Sequence, residues 1–143
     1  MSDLQMNKIE GSQDAALQFF ESRIQAGFPS PAQGALSKKI DLNHELIDKP
    51  ASTFCARVMG NSMVDDGIND GDLLIIDKSL DPHEGSIAVC YLDGDFTVKR
   101  ISIRPNGVYL VPANKDFPEI FVPQESHFVI WGIVTHIVKN LKK

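Results

Sequence analysis

From Ile40 onward, apolar residues fall in short runs with the length and spacing of strands, separated by turn residues. Residues 52–59 alternate weakly between apolar and polar. After the turn Asn69-Asp70-Gly71-Asp72 comes Leu73-Leu74-Ile75-Ile76, a continuous apolar run that predicts a short buried strand. Residues 86–92 predict another, closed by Asp93-Gly94, a pair that tolerates the positive φ of a two-residue type I′ hairpin. Residues 95–103 return from it, and Arg104-Pro105-Asn106-Gly107 turns the chain into 108–111. Residues 120–122 and 128–138 complete the set, with Gly132 marking a bulge. Short strands closed by Gly and Pro turns predict a mainly β fold, a compact twisted barrel or sandwich.

The first 38 residues read differently and predict a flexible N-terminal arm before a β-rich domain over 39–143. Residues 1–12 are polar and unpatterned. Residues 14–25 predict a short amphipathic helix, with Leu17, Phe20 and Ile24 at helical spacing. Gly27, Pro29, Pro31 and Gly34 then interrupt regular structure. Ala26-Gly27-Phe28-Pro29-Ser30-Pro31 reads as an exposed, extended, protease-accessible segment.

Length and charge narrow the function. At 143 residues, 43% hydrophobic, the chain can build one core with a modest appendage. A formal net charge of −5 speaks against a protein whose main task is gripping phosphate backbones. No run approaches the roughly 20 apolar residues of a membrane span, and the charged first residues lack the apolar stretch of a signal peptide. A cytoplasmic location is therefore expected. Cys55 and Cys90 are too few for a disulfide framework and sit in apolar runs, as small buried residues do. No metal or cofactor is expected.

One serine and one lysine carry the candidate chemistry. Ser62 lies in Gly60-Asn61-Ser62-Met63, just before an apolar strand, and Lys99 lies inside Phe96-Thr97-Val98-Lys99-Arg100-Ile101. A serine hydroxyl is a poor nucleophile until a neighbouring base takes its proton. Of the four histidines, His83 and His127 fall in solvated turns, and His136 reads as a partly buried structural residue in a strand. Neither these nor His44 forms a local pattern that favours a Ser-His-Asp triad. Lysine can serve if burial keeps its amine neutral, because the ammonium is the form that loses hydration. Lys99 shares its strand face with Thr97, Ile101 and Ile103, whereas Arg100 faces the other way and cannot deprotonate. Taken alone, each residue is ordinary: a lysine in a strand is usually a snorkelling surface residue, and a serine before a strand is usually part of a turn.

Gly60-Asn61-Ser62-Met63, Asp70-Gly71-Asp72-Leu73-Leu74-Ile75-Ile76-Asp77 and Gly94-Asp95-Phe96-Thr97-Val98-Lys99-Arg100 resemble the UmuD and LexA group of self-cleaving serine–lysine peptidases. Gly27-Phe28-Pro29-Ser30-Pro31-Ala32 and Trp131-Gly132-Ile133-Val134-Thr135-His136 narrow the resemblance to the UmuD branch with its MucA-like relatives. The resemblance runs from about residue 24 to about residue 139. It implies Ser62 as nucleophile, Lys99 as general base and Ala26–Gly27 as the scissile bond. The best-known UmuD has cysteine where this chain has Ala26, and the repressor branch has alanine. Backbone N–H groups of Asn61 and Ser62 are the candidate oxyanion hole, since Gly60 lets the chain turn to aim them. Met63 reads as packing beneath the nucleophile.

The same resemblance implies an SOS-response protein that cuts itself when it meets a RecA–single-stranded-DNA filament. Its trimmed form would join a UmuC-like Y-family polymerase in error-prone translesion synthesis. It implies a homodimer, with the polymerase sliding clamp as a further candidate partner. The residues before Gly27 are too few for the DNA-reading domain of the repressor branch, so no sequence-specific DNA binding is expected, and no membrane partner. Two other readings stand beside it. One is a non-catalytic polymerase-binding subunit with a vestigial dyad. The other is a signal-peptidase-like enzyme, which would require a membrane anchor.

Overall fold

In the computed structural model, which describes residues 4–8, 16–20, 24, 26, 27 and 37–142, the Asp93-Gly94 turn sets the register of the central hairpin. Both residues have positive φ, 48° and 96°, the geometry that matches the twist of the strands it joins. Strands β6 (Ile87–Leu92) and β7 (Asp95–Arg104) therefore pair across these two residues alone, Leu92 opposite Asp95 and Ala88 opposite Lys99. Gly107 opens β8 (Gly107–Val111), which returns along β7 and is followed by the short edge strand β9 (Ile120–Phe121).

On the other side of the hairpin, β6 pairs with β10 (Phe128–Val138), whose far half pairs with β5 (Leu73–Asp77). The ladder shifts between Ile130 and Gly132 and again between Val134 and His136. Bulges of this kind bend a strand and increase its twist, which lets β10 serve both partners while the sheet curls into a half-barrel. Trp131, at the first bulge, lies edge-on to Phe54 at 4.9 Å and to Phe96 at 6.0 Å. Strand β4 (Thr53–Val58) continues the sheet beyond β5, and β1 (Leu4–Lys8) covers the outer edge of β4 in antiparallel register, Leu4 opposite Val58 and Lys8 opposite Phe54. Among the described residues the sheet has eight strands, in the order β1-β4-β5-β10-β6-β7-β8-β9.

The core follows from the alternation. Leu74, Ile76, Val89 and Val98 are buried with Ala56, Met63 and Ile68, while Ala88, Cys90, Ile101 and Leu110 form a neighbouring cluster with Ile133. Cys90 is buried and Cys55 half-buried, and no disulfide joins them.

The chain divides into two compact units, Met1–Ile9 with Lys49–Lys143, and Glu10–Asp48. In the second, the helix expected over residues 14–25 is not formed. Ala16–Phe20 is instead a strand, β2, paired with β3 (Ser37–Asp41) in a two-stranded ladder. A short isolated helix has a nucleation cost that few hydrogen bonds offset, whereas a partner strand satisfies the same backbone groups. Leu17 and Ile24, which should have marked the apolar face of that helix, are 48% and 85% exposed. A short helix, α1 (Leu42–Leu46), follows β3, capped by the Asp41 carboxylate accepting from the Asn43 N–H at 3.0 Å. Phe28-Pro29-Ser30-Pro31, expected to be extended, lies outside the described residues.

Asp77 anchors the end of β5. Its buried carboxylate accepts from the Ser79 N–H (2.8 Å), the Ser79 hydroxyl (2.7 Å) and the Ser52 hydroxyl (3.0 Å). Burial alone would raise its pKa. Hydrogen bonds from Ser79 and Ser52, with the Lys49 charge, outweigh burial and hold it below the ordinary carboxylate value. Because the folded-state value is the lower one, the carboxylate stabilises the fold above the unfolded pKa of about 3.9 and loses that contribution as pH falls through the folded value. Asp77→Ala should cost about 2 kcal/mol at neutral pH. In urea denaturation at successive pH values, the gap to the parent should narrow below about pH 4; a gap independent of pH would contradict this role.

Candidate active site

Ser62 sits in the loop that joins β4 to β5, and the loop is fastened at both ends. The Val58 N–H donates to the Asp72 carbonyl and the Gly71 N–H to the Val58 carbonyl, each at 2.8 Å. Gly60 takes φ +97°, a conformation that disfavours residues with a Cβ, and its N–H donates to Asp70 Oδ1 at 2.8 Å. Met63 and Ile68, 1% and 0% exposed, plug the loop into the core. Met63 thus packs below the serine, as its position in the sequence suggested.

A second segment grips the loop from the side. The Ala113 N–H donates to the Ser62 carbonyl at 2.9 Å, and the Asp65 N–H donates to the Ala113 carbonyl at 2.7 Å. Asn114 Nδ2 donates to the Asn61 carbonyl at 2.8 Å. Arg100, on the opposite face of β7 from Lys99, holds Asp66 at 2.9 Å and also donates to the Gly85 carbonyl. Among the described residues no protein acceptor takes the Asn61 or Ser62 N–H, so both are available to a ligand.

Lys99 reaches this loop from β7 and is 6% exposed. Its Nζ lies 3.0 Å from Ser62 Oγ, 2.6 Å from Thr97 Oγ1 and 3.1 Å from the Val98 carbonyl. These oxygens suit either protonation state. An ammonium can donate to all three oxygens. A neutral amine can donate to Thr97 and Val98 and turn its lone pair to the Ser62 hydroxyl, which then becomes the donor. Burial penalises the ammonium relative to the amine, and the second arrangement is the one that activates an oxygen nucleophile.

These groups line a cleft of about 280 Å³. Asn61, Ser62, Thr97 and Lys99 form its polar part, and Met59, Phe117, Pro118 and Ile120 an apolar wall. The site thus combines a serine hydroxyl, a buried amine, two open N–H donors and an apolar wall, a set of groups whose chemistry suits acyl transfer to a serine. Among the described residues no group of three His, Cys, Asp or Glu side chains could hold a metal ion, and no helix is long and apolar enough to cross a membrane.

The structure brings Ser62 and Lys99 together but departs from several of the neighbours expected from the sequence. Ile103, expected on the buried face beside Lys99, is 56% exposed, because β7 has by then run past the core; Ile101, at 1%, is the residue that does bury the lysine's strand. His136 is exposed rather than partly buried, and no histidine lines the cleft. Ala26 and Gly27 belong to the unit of residues 10–48, where both are exposed and Gly27 has φ +123°. The grip of Ala113 and Asn114 had no signal in the sequence, since it joins segments far apart in the chain through the Ala113 backbone and the Asn114 side-chain amide. Thr97 had one: it stands two residues before Lys99 and so on the same strand face.

Comparison with known proteins places the chain in a family. The sequence pattern of the family described as Peptidase S24-like matches residues 18–135. The chain is 44% identical over 122 residues to Protein MucA of Salmonella typhimurium and of Escherichia coli, covering 85% of this chain and 83% of the relative. It is 40% identical over 124 residues to Protein ImpA of Shigella flexneri, covering 87% and 84%. A further relative is Protein SamA of Salmonella typhimurium, 40% identical over 123 residues, covering 86% and 85%. A family match across most of the chain, on a half-barrel that brings a serine and a buried lysine together, has a plain conclusion: this chain belongs to the Peptidase S24-like family.

Proposed function

We propose that the chain is a UmuD-like serine–lysine endopeptidase that cuts its own Ala26–Gly27 bond. The observation that carries this reading is the 3.0 Å approach of Lys99 Nζ to Ser62 Oγ, with the amine withdrawn from solvent. The neutral Lys99 amine takes the Ser62 proton as Oγ attacks the Ala26 carbonyl. The resulting oxyanion lies against the N–H groups of Asn61 and Ser62. Collapse breaks the Ala26–Gly27 bond, the Lys99 ammonium returns its proton to the Gly27 nitrogen, and an ester to Ser62 remains. Water, deprotonated by Lys99, hydrolyses the ester. Gly27 suits the leaving side, since the absence of a Cβ leaves room for the attack.

In this reading a RecA–single-stranded-DNA filament accelerates the cut by favouring the reactive conformation, a population shift rather than new chemistry. The trimmed protein, as a homodimer, then serves a UmuC-like error-prone polymerase. These partners follow from the family likeness and from no contact in the molecule itself.

Intact-mass spectrometry tests the chemistry directly. Incubation of the purified chain, with and without activated RecA on single-stranded DNA, should convert it to a species beginning at Gly27, faster with the filament. An undiminished mass under both conditions would instead make the dyad vestigial and the chain a non-catalytic subunit.

A further inference from the structure

The outer edge of β4 is covered by a strand that lies before the proposed cut. Its backbone polarity can be read from neighbouring bonds. Val58 directs its N–H and carbonyl toward Asp72 and Gly71, and Ser52 directs its carbonyl to the Lys78 N–H, all on the β5 side. The two-residue period of a strand therefore turns the backbone groups of Cys55 and Arg57 the other way, toward β1. Opposite them in the register stand Asn7 and Gln5, so the pairs that exchange ladder bonds are Gln5 with Arg57 and Asn7 with Cys55.

Without β1 this edge would be unguarded. Thr53-Phe54-Cys55-Ala56-Arg57-Val58 contains no proline and one charged residue. That residue, Arg57, is folded back, its Nη1 donating to the Gly71 carbonyl at 2.8 Å. Edge strands of this kind accept another strand readily.

We propose that the outer edge of β4 is a strand-binding site whose built-in ligand is residues 4–8, and that a cut at Ala26–Gly27 turns this ligand from tethered to dissociable. The second half of the statement rests on the proposed self-cleavage; the first does not. In the intact chain the covalent connection holds the segment at an effective concentration on the order of millimolar. Once the bond is cut, the fragment that carries β1 binds as a separate molecule. A strand of five residues contributes too few ladder bonds to stay bound at micromolar concentration. The β4 edge then opens although the cut lies outside β1 itself.

Amide hydrogen exchange followed by NMR tests both halves. In the full chain carrying Ser62→Ala, which keeps it intact, adding Gln5→Pro and Asn7→Pro removes the two N–H groups that face β4. The Cys55 and Arg57 amides should then exchange at least about tenfold faster, with the Ala56 amide, on the β5 side, unchanged. Equal exchange at Cys55 and Arg57 would overturn the site. In the parent after conversion, diluted to micromolar concentration, the same two amides should be fast. A synthetic peptide of residues 1–12 at millimolar concentration should slow them again, and its Gln5→Pro/Asn7→Pro form should not. Amides that stay slow after conversion and dilution, or that ignore the peptide, would overturn the release. A chain that never converts would count against the self-cleavage, and the proline variant would then decide the site alone.

Discussion

Lys99→Ala should lower the rate of self-cleavage by about a thousandfold or more, the range expected when a positioned general base is lost. Ser62→Ala should abolish it, because it removes the proposed nucleophile, the hydroxyl that lies 3.0 Å from the Lys99 amine in the loop before β5. The parent should also show a rate that rises with pH, since only the deprotonated amine accepts the serine proton. The rise should vanish in Lys99→Ala. A parent with a flat profile, or a Lys99→Ala chain that still cuts at the parental rate, would remove the lysine from the mechanism. A stability measurement on both variants separates chemistry from folding. Lys99 is 6% exposed and holds Thr97 and Val98, so its truncation could soften β7, whereas Ser62→Ala removes a single hydroxyl from the cleft. Loss of activity in Ser62→Ala with an unchanged unfolding midpoint is the clean signature of the proposed nucleophile.

The second large effect concerns Gly132. A Cβ built there would lie 2.5 Å from Ile76 Cγ2, with the Asp77 carbonyl at 3.6 Å. Ile76 is wholly buried, and its Cγ2 is attached directly to Cβ, so it has little freedom to move aside. Gly132→Ala should therefore destabilise the fold by about 1–3 kcal/mol through overpacking. Ile76→Ala should cost about 2–5 kcal/mol through the cavity it leaves. Together they should cost clearly less than their sum, because the new methyl group fills space the isoleucine has vacated. Urea midpoints of the two single variants and the double give the cycle. Strict additivity would mean that the bulge, rather than the contact, sets the preference for glycine at this position.

Much of the fold could be read from the chain because its strands are short, amphipathic and closed by distinctive turns. The Asp93-Gly94 hairpin, the Leu73–Asp77 run and the Gly132 bulge each carry their own local signal. β1 and β2 do not. Leu4–Lys8 offers only Leu4 and Met6 in alternation with polar residues, too short a pattern to mark a strand, and its conformation is fixed by the edge it meets. Ala16–Phe20 has apolar residues that fit a helix as well as a strand, and pairing with Ser37–Asp41 decides the matter. At the site, Ser62 and Lys99 are individually unremarkable residue types, and only the family likeness singled them out together. Their immediate surroundings depend on segments brought together from Asn61 to Asn114, a relation that spacing along one strand does not encode.

Consecutive residues of β7 carry two different basic groups to two sides of the sheet: an amine toward the serine, a guanidinium toward Asp66. Slippage of this strand by a single residue would exchange them and would set beside Ser62 a group that never gives up its proton at physiological pH. The tight turn at Asp93-Gly94 is what forbids that slip. The reactivity proposed for the serine is thus decided partly at the far end of a hairpin, by the two turn residues Asp93 and Gly94.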